Sequence, residues 1–384
     1  MEFTFSEEQA MLRDMVRRFV DNEIRPIADR IDREKRVPPE LIKQMAEMGL
    51  LGLPFPEKYG GAGVGEMGYC IAMEEVARAC ASSAVTIGAH TSIGSMSIYL
   101  DGSEELKQKY LVPLAKGEKI CAYCLTEAGA GSDAASIETT ATQDGDDWVL
   151  RGTKIFVTNG GIADVYVVYA ANDRYLGPRG GITGFVVERG FAGIEIGQEE
   201  EKLGIRGSST AEVHFEDCRV PQENVIGNVG NGFYTAMKAL DIGRLGLGAC
   251  CIGASKEVLG LSIKHASQRV QFGQPIVQRG MVQAMLAEMA ADIYAMEGMV
   301  YRTAWMADEG MKFSRESAIV KMFCSEALDR VVDKGVQIHG GMGYMQEMPL
   351  ERAYRDARIN RIFEGTNEIQ RIVIARDLAK KGSY

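Results

Sequence analysis

The sequence predicts an α+β protein in three parts: an N-terminal α-helical domain over residues 1–120, a middle antiparallel β domain over 121–230 and a C-terminal four-helix bundle over 231–384. Three observations predict it. The chain has 384 residues, more than one ordinary core of about 100–200 residues holds. Apolar residues recur at helical spacing in the first and last parts, and strict alternation is confined to the middle. A hydrophobic content of 46% with 25% charged residues is an ordinary globular mix, so disorder is not indicated.

The first part reads as helices over Glu7–Asn22, Pro39–Met48, Gly68–Ala79 and Glu104–Leu111. Met11, Leu12, Met15, Phe19 and Val20 share one face of the first helix. That pattern marks a docking helix, and the basic-then-apolar order of a signal peptide is missing. The Pro and Gly of FPEKYGGAG punctuate a loop. The uncharged run Ala79–Leu100 carries too many hydroxyls for a membrane span and suits a buried helix.

In the middle part DDWVLRGTKIFVTN, ADVYVVYAAN, GITGFVVERG and AEVHFEDCRV alternate, with Gly and Asp pairs between them. Turns rather than helices join such strands, which favours an antiparallel barrel or sandwich over a parallel sheet. From Gly232 onward, long Ala- and Met-rich stretches are apolar over a wide face. They fit a bundle that also makes homo-oligomer contacts.

The net charge of −10 argues against nucleic acid and anionic membranes as partners, while leaving room for a local basic pocket. Eight scattered cysteines fall far below the density of a disulfide scaffold and point to a reducing compartment. Cys121 and Cys124 form a C-x-x-C without a second pair, in a strand-like run, so no metal role is expected of them. With no targeting segment visible, a cytoplasmic location is the expectation, although a mature organellar protein would look the same.

Three segments carry candidate chemistry. In Tyr123–Asp133, YCLTEAGAGSD, Gly129, Gly131 and Ala134 have the spacing of a dinucleotide fingerprint, but a strand, a turn and another strand follow instead of a helix, which excludes a Rossmann site. The backbone N–H groups of Gly129 and Gly131 and the hydroxyls of Thr126 and Ser132 suit a flat heterocycle or a phosphate; the alternative is a polar connection between strands. In Arg361–Arg371, RIFEGTNEIQR, Glu364 lies between Phe363 and Gly365. An apolar wall raises a carboxylate toward the range of a working base, and an exposed helix-capping Glu is the alternative. Gln337–Tyr344, QIHGGMGY, ends a helix at a glycine cluster, as a C-cap or as bared backbone for a phosphate or a neighbouring chain. His339 has no second ligand at metal spacing. Arg244 and Arg269 are cations among small or apolar neighbours, either solvated or suited to a phosphate.

In this order the segments resemble the acyl-CoA dehydrogenase family, from FTFSEEQAMLRDMVRRFV to EIQRIVIARDL. The resemblance implies that family's three-domain fold, a homotetramer built as a dimer of dimers, FAD as cofactor, an acyl-CoA thioester as substrate and an electron-transferring flavoprotein as acceptor. It assigns Glu364 as the base that takes the α-proton while the β-hydrogen leaves as hydride. It places Tyr123, Leu125, Thr126, Gly131 and Ser132 on the flavin, with Phe156, Val157 and Thr158 packed beside the ring. Arg269, Phe272, Gln337, Ile338, His339, Gly340 and Gly341 would reach the adenosine diphosphate of the partner subunit's FAD, and Thr366, Asn367 and Glu368 would cover the flavin. Ser132, Asp241, Gly243, Arg244 and Gly365 would contact substrate, Arg244 near the CoA portion. The Glu364 N–H and a ribityl hydroxyl would form an oxyanion hole.

Some positions depart from the family's commonest pattern. Ala128 stands where proline is frequent. Arg279 and Gly280 stand where an aromatic and glutamine are common, which puts one adenosine contact in doubt; very-long-chain members have a similar glycine. Gly243 cannot act as the base that some members carry nearby. An acyl-CoA oxidase using oxygen and a non-catalytic flavoprotein scaffold are the rival readings. Acyl chain length is left open, with His90–Leu100 expected to line the acyl pocket and Ser92, Gly94 and Ser95 to leave room in it.

Overall fold

The computed structural model describes residues 4–382. Helices α1 (Glu7–Phe19), α2 (Ala28–Glu34), α3 (Pro39–Glu47), α4 (Gly65–Ala79), α5 (Ala81–Gly88), α6 (Met96–Asp101), α7 (Glu104–Leu106) and α8 (Val112–Ala115) come first. Ser6 starts α1 with a reciprocal capping box to Gln9, which satisfies two otherwise orphaned N–H groups. Wider π-turns over Val20–Ile24, Ala89–Ser95 and Lys107–Leu111 extend the helices and account for the longer sequence readings. The docking face of α1 is rotated from the expected one: Val16 and Val20 are fully buried, whereas Met11 is 71% exposed. Met11 lies five residues before Val16, which puts it off the seam that packs on α4.

Eight strands follow: β1 (Cys121–Cys124), β2 (Thr140–Asp144), β3 (Asp147–Thr158), β4 (Val165–Ala171), β5 (Ile182–Glu188), β6 (Ile194–Glu199), β7 (Thr210–Pro221) and β8 (Val225–Ile226). They form one sheet in the order β6-β7-β3-β2-β4-β5-β8, with β1 against β4. Most neighbours are antiparallel, as expected, but β1 runs parallel to β4 and Thr140 pairs in parallel with Ala171. The long excursion from Leu125 to Thr139 and the β2–β3 hairpin supply the crossover that a parallel pair needs, and that link carries no helix to announce it.

The last part holds α9 (Gly232–Gln268), a short hairpin of β9 (Val270–Gln271) and β10 (Gln274–Pro275), α10 (Gly280–Asp308), α11 (Ser314–His339), α12 (Pro349–Ala357) and α13 (Asn367–Lys381). α9 is long and apolar enough to cross a bilayer, yet over half of its most apolar window is buried as it packs among α4, α10 and α11. The approach of α4 is close: a Cβ on Gly253 would sit 1.9 Å from the Glu74 carbonyl, so glycine is required there. This crossing seats the first helical part against the bundle and sets the floor of the cleft described next.

Candidate active site

Four segments converge on one cleft. The loop after β1 is folded on itself by the Glu127–Ala130 bridge and pinned from beneath by a buried ion pair, Lys154 Nζ to Glu127 Oε1 at 2.7 Å, with Lys154 also donating to the Leu125 carbonyl at 3.1 Å. On β3 the register with β7 skips between Lys154 and Val157, and Phe156 takes φ +54°. This bulge turns the Phe156 ring outward, 61% exposed, while Val157 is 1% exposed and buried in the core. Val157 therefore does not face the cleft. From α9 come Gly243 and Arg244, and from the α12–α13 connection come Phe363, Glu364 and Gly365.

Glu364 has φ +55°, an αL conformation that a side chain adopts only when its surroundings hold it there. The Arg244 Nε–H donates to the Glu364 carbonyl at 3.1 Å, and Gln370 Nε2 donates to the carbonyls of Glu364 (3.3 Å) and Gly365 (2.9 Å). These bonds fix the backbone and leave the carboxylate free: Glu364 Oε2 is buried without a hydrogen-bond partner. Gly243 makes the room, since its Cβ would lie 2.9 Å from Oε2. Burial raises the Glu364 pKa to about 7, against the pull of Arg244 and Lys321, which lower it.

The carboxylate stands where two cavities meet. One, of about 210 Å³, runs inward past Ser92, Ile93, Tyr69 and Met73. The other, of about 610 Å³, opens over Phe156 and carries the hydroxyls of Thr126, Ser132, Thr158 and Thr366. Both are lined by Thr126, Gly131, Ser132, Phe156, Thr158, Glu364 and Gly365. Tyr123 and Leu125 line the inner cavity alone.

Other expected site residues lie elsewhere. Asp241 pairs with Arg244 at 2.7 Å and accepts from Ser314, off the cavity wall. Arg244 lines the cavity, but its guanidinium is committed to Asp241 and the Glu364 carbonyl, so its visible work is to hold the Glu364 backbone rather than to meet CoA at the surface. Asn367 is buried against α11, and Glu368 is exposed in the first turn of α13. Gly94 packs on Cys121 and Ser95 is fully buried; of the three small residues expected in the pocket, Ser92 alone lines it. Arg269 and Phe272 sit on or beside the hairpin, Phe272 94% exposed, and Gln337–Gly341 close α11. None of these lines the cleft of its own chain. His339 instead stacks on His265 at 4.3 Å, and Arg279 stacks on Phe272 while donating to the Gln271 and Phe272 carbonyls.

Cys121 and Cys124 are buried and free, and burial pushes the Cys124 thiol up to about 12, the range of an inert core thiol. No three His, Cys, Asp or Glu side chains among the described residues form a metal-binding group.

Sequence profiles of the acyl-CoA dehydrogenase N-terminal, middle and C-terminal domains match residues 6–118, 122–218 and 230–379. The chain belongs to the acyl-CoA dehydrogenase family. It is 44% identical to the short-chain specific acyl-CoA dehydrogenase of Clostridium acetobutylicum over 98% of this chain and 99% of that one. A chain from a structure described as the electron transferring flavoprotein of Acidaminococcus fermentans superposes with TM-score 0.97 at 41% identity, covering 98% of this chain and 99% of that one. The acyl-CoA dehydrogenase of Bacillus anthracis complexed with FAD superposes with TM-score 0.91 at 41% identity, covering 98% of this chain and 68% of that one.

Acyl-CoA dehydrogenases depend on FAD, and the outer cavity of this one fits a flavin: an outward aromatic face at Phe156, a lining that includes the hydroxyls of Thr126, Ser132, Thr158 and Thr366, and the carboxylate at one wall. Three residues that shape this dehydrogenase's site escaped the sequence reading: Lys154, Lys321 and Gln370. Lone cations in apolar runs, as in TKIFV and AIVKMF, were the available signal for the first two. With burial raising Glu364 to about 7, its carboxylate is ionised above that pH and protonated below it. The anaerobic rate of flavin reduction is expected to be half-maximal near that pH and to fall about tenfold per unit of further acidification; a profile flat from pH 5 to 8 would contradict it.

Proposed function

We propose that this enzyme dehydrogenates short acyl-CoA thioesters between Cα and Cβ, with Glu364 taking the α-proton and an electron-transferring flavoprotein taking the electrons. The observation that carries this reading is the buried, unpartnered Glu364 Oε2 at the junction of the two cavities. A thioester reaching down the inner cavity puts its α-carbon beside that oxygen. FAD, when bound, supplies the acceptor for the β-hydride. The Glu364 N–H donates to nothing among the described residues, which leaves it available to the thioester oxygen as charge builds there. Arg244 and Gln370 hold the Glu364 backbone in the conformation that serves both tasks.

Three supports favour short chains. The Clostridium relative is short-chain specific, the inner cavity is small, and its inner walls include Tyr69, Met73 and Leu247. These outweigh the resemblance of Gly280 to very-long-chain members. Val85, Cys250 and Asn360 separate the cavity from a second of about 70 Å³ behind it, lined by Ala254, Val258 and Leu261. Val85→Ala/Cys250→Ala is expected to join the two and move the best substrate from about C4 toward C8 or longer. An unchanged chain-length profile would place the limit elsewhere.

The Acidaminococcus structure supports the flavoprotein acceptor. For assembly we propose a dimer of dimers: Val270, Phe272 and Met281 form an exposed apolar patch beside Arg269, suited to a second copy whose cofactor they would reach. The deciding experiment is anaerobic titration of the FAD-loaded protein with acyl-CoA thioesters from C4 to C16. Bleaching of the flavin band, strongest at the short end, is expected. A bound flavin that no thioester bleaches would refute the activity, and rapid reoxidation by oxygen would favour an oxidase.

A further inference from the structure

Lys321 is fully buried in α11, facing the loop that carries the base. Its ammonium makes one hydrogen bond, 2.9 Å to Asn367 Oδ1, and no carboxylate among the described residues lies within ion-pairing distance. A buried cation held by a single neutral oxygen is costly unless a negative charge compensates it nearby. Asn367 in turn ties α13 to α11: its amide donates to Ser325 Oγ at 3.0 Å and to the Met322 carbonyl at 3.3 Å. Three residues earlier stands Glu364, whose buried Oε2 has no hydrogen-bond partner.

Resting on the reading of Glu364 as the base, we infer that Lys321 is a positioning residue for the dehydrogenation, one that anchors the Glu364 loop through Asn367 and supplies positive charge that keeps the buried carboxylate ionised. Glu364 and Lys321 each feel the other's charge. Around Glu364 the further groups are Arg244 and Cys250 from α9 and Tyr123 from β1; around Lys321 they are Arg244, Cys251 and Glu368. Burial raises Tyr123 well above its ordinary range and lifts Cys250 to about 12, so both stay neutral near pH 7. Burial also draws Lys321 down to about 8, which leaves it charged at neutral pH. Arg244 is the second cation, but it is bonded to Asp241, which offsets part of its field. Lys321 has no bonded carboxylate among the described residues, and Glu368, the other anion that acts on it, is exposed at the start of α13, so more of its charge reaches Glu364.

The test is the pH profile of anaerobic flavin reduction by butyryl-CoA in FAD-loaded Lys321→Met, which keeps the stem and removes the charge. The sign is fixed: loss of a neighbouring cation disfavours the carboxylate, so the acid limb moves to higher pH, by about one unit. At pH 6 the variant is expected to be roughly tenfold slower than the parent, with most of the difference recovered by pH 9. A merely structural role would lower the rate equally at every pH and leave the midpoint in place, and that result would overturn the inference. Should Lys321→Met not fold, Lys321→Gln serves instead: its amide can still donate to Asn367 Oδ1 but carries no charge, and the same upward shift is expected, an unmoved midpoint being the contrary result. Glu364→Gln run alongside separates the two levels. A Gln variant that reduces flavin normally removes the base itself, whereas an inert Gln variant with an unmoved Lys321→Met midpoint removes only the role of the lysine.

Discussion

Glu364→Gln is expected to retain FAD and acyl-CoA and to lose flavin reduction by roughly 10³–10⁴-fold, the upper range for removal of a general base. The amide preserves the volume that fills the space beside Gly243, and the bonds that hold this loop go to the carbonyls of Glu364 and Gly365, not to the side chain. The backbone conformation at φ +55° therefore survives the change. Glu364 Oε2 has no hydrogen-bond partner to lose, so the variant's thermal midpoint is not expected to fall. Single-turnover absorbance in the flavin band, with the FAD content of the variant measured separately, is the check. Reduction within tenfold of the parent rate would eliminate Glu364 as the base, and loss of FAD would show that the side chain supports the cofactor site instead.

Gly243→Ala produces the second large effect, by displacement rather than deletion. A Cβ there would stand 2.7 Å from Ile93 Cγ2 and 2.9 Å from Glu364 Oε2, both inside van der Waals contact. α9 is fixed by its packing on α4, α10 and α11, so the side chains must yield. Shifting the carboxylate by about 1 Å costs roughly 10²-fold in rate when proton transfer depends on a near-attack geometry. The expected signature is a fall in single-turnover rate with FAD retention unchanged and butyryl-CoA affinity reduced modestly. A variant with parental rate would mean that the cavity yields at Ile93 alone and that the base is less confined than its surroundings indicate.

Much of this molecule is legible in its sequence. The capping Ser6, the alternating strands and the long Ala- and Met-rich helices are local signals, encoded within about ten residues of where they act. The chemistry was local too. Y-C-L-T-E-A-G-A-G-S and F-E-G-T hold their hydroxyls and the Glu364 carboxylate in short runs, and those runs do line the cleft.

What the tertiary structure alone decided are the relations between runs. The outward turn of Phe156 depends on a register skip against β7, more than fifty residues away along the chain. The parallel β1–β4 pair depends on a crossover without a helix. Met11 follows helical period as well as Val16 does, and only the position of α4 determines which of them is covered. The state of Glu364 is the clearest case. Its sequence neighbours supply an apolar wall, but its burial, its room beside Gly243 and its two cations come from helices elsewhere in the chain; Arg244 is 120 residues away. Sequence determined which groups this protein possesses. Folding determined their ionisation and aim, because desolvation and charge act through space, between side chains that the chain order keeps far apart.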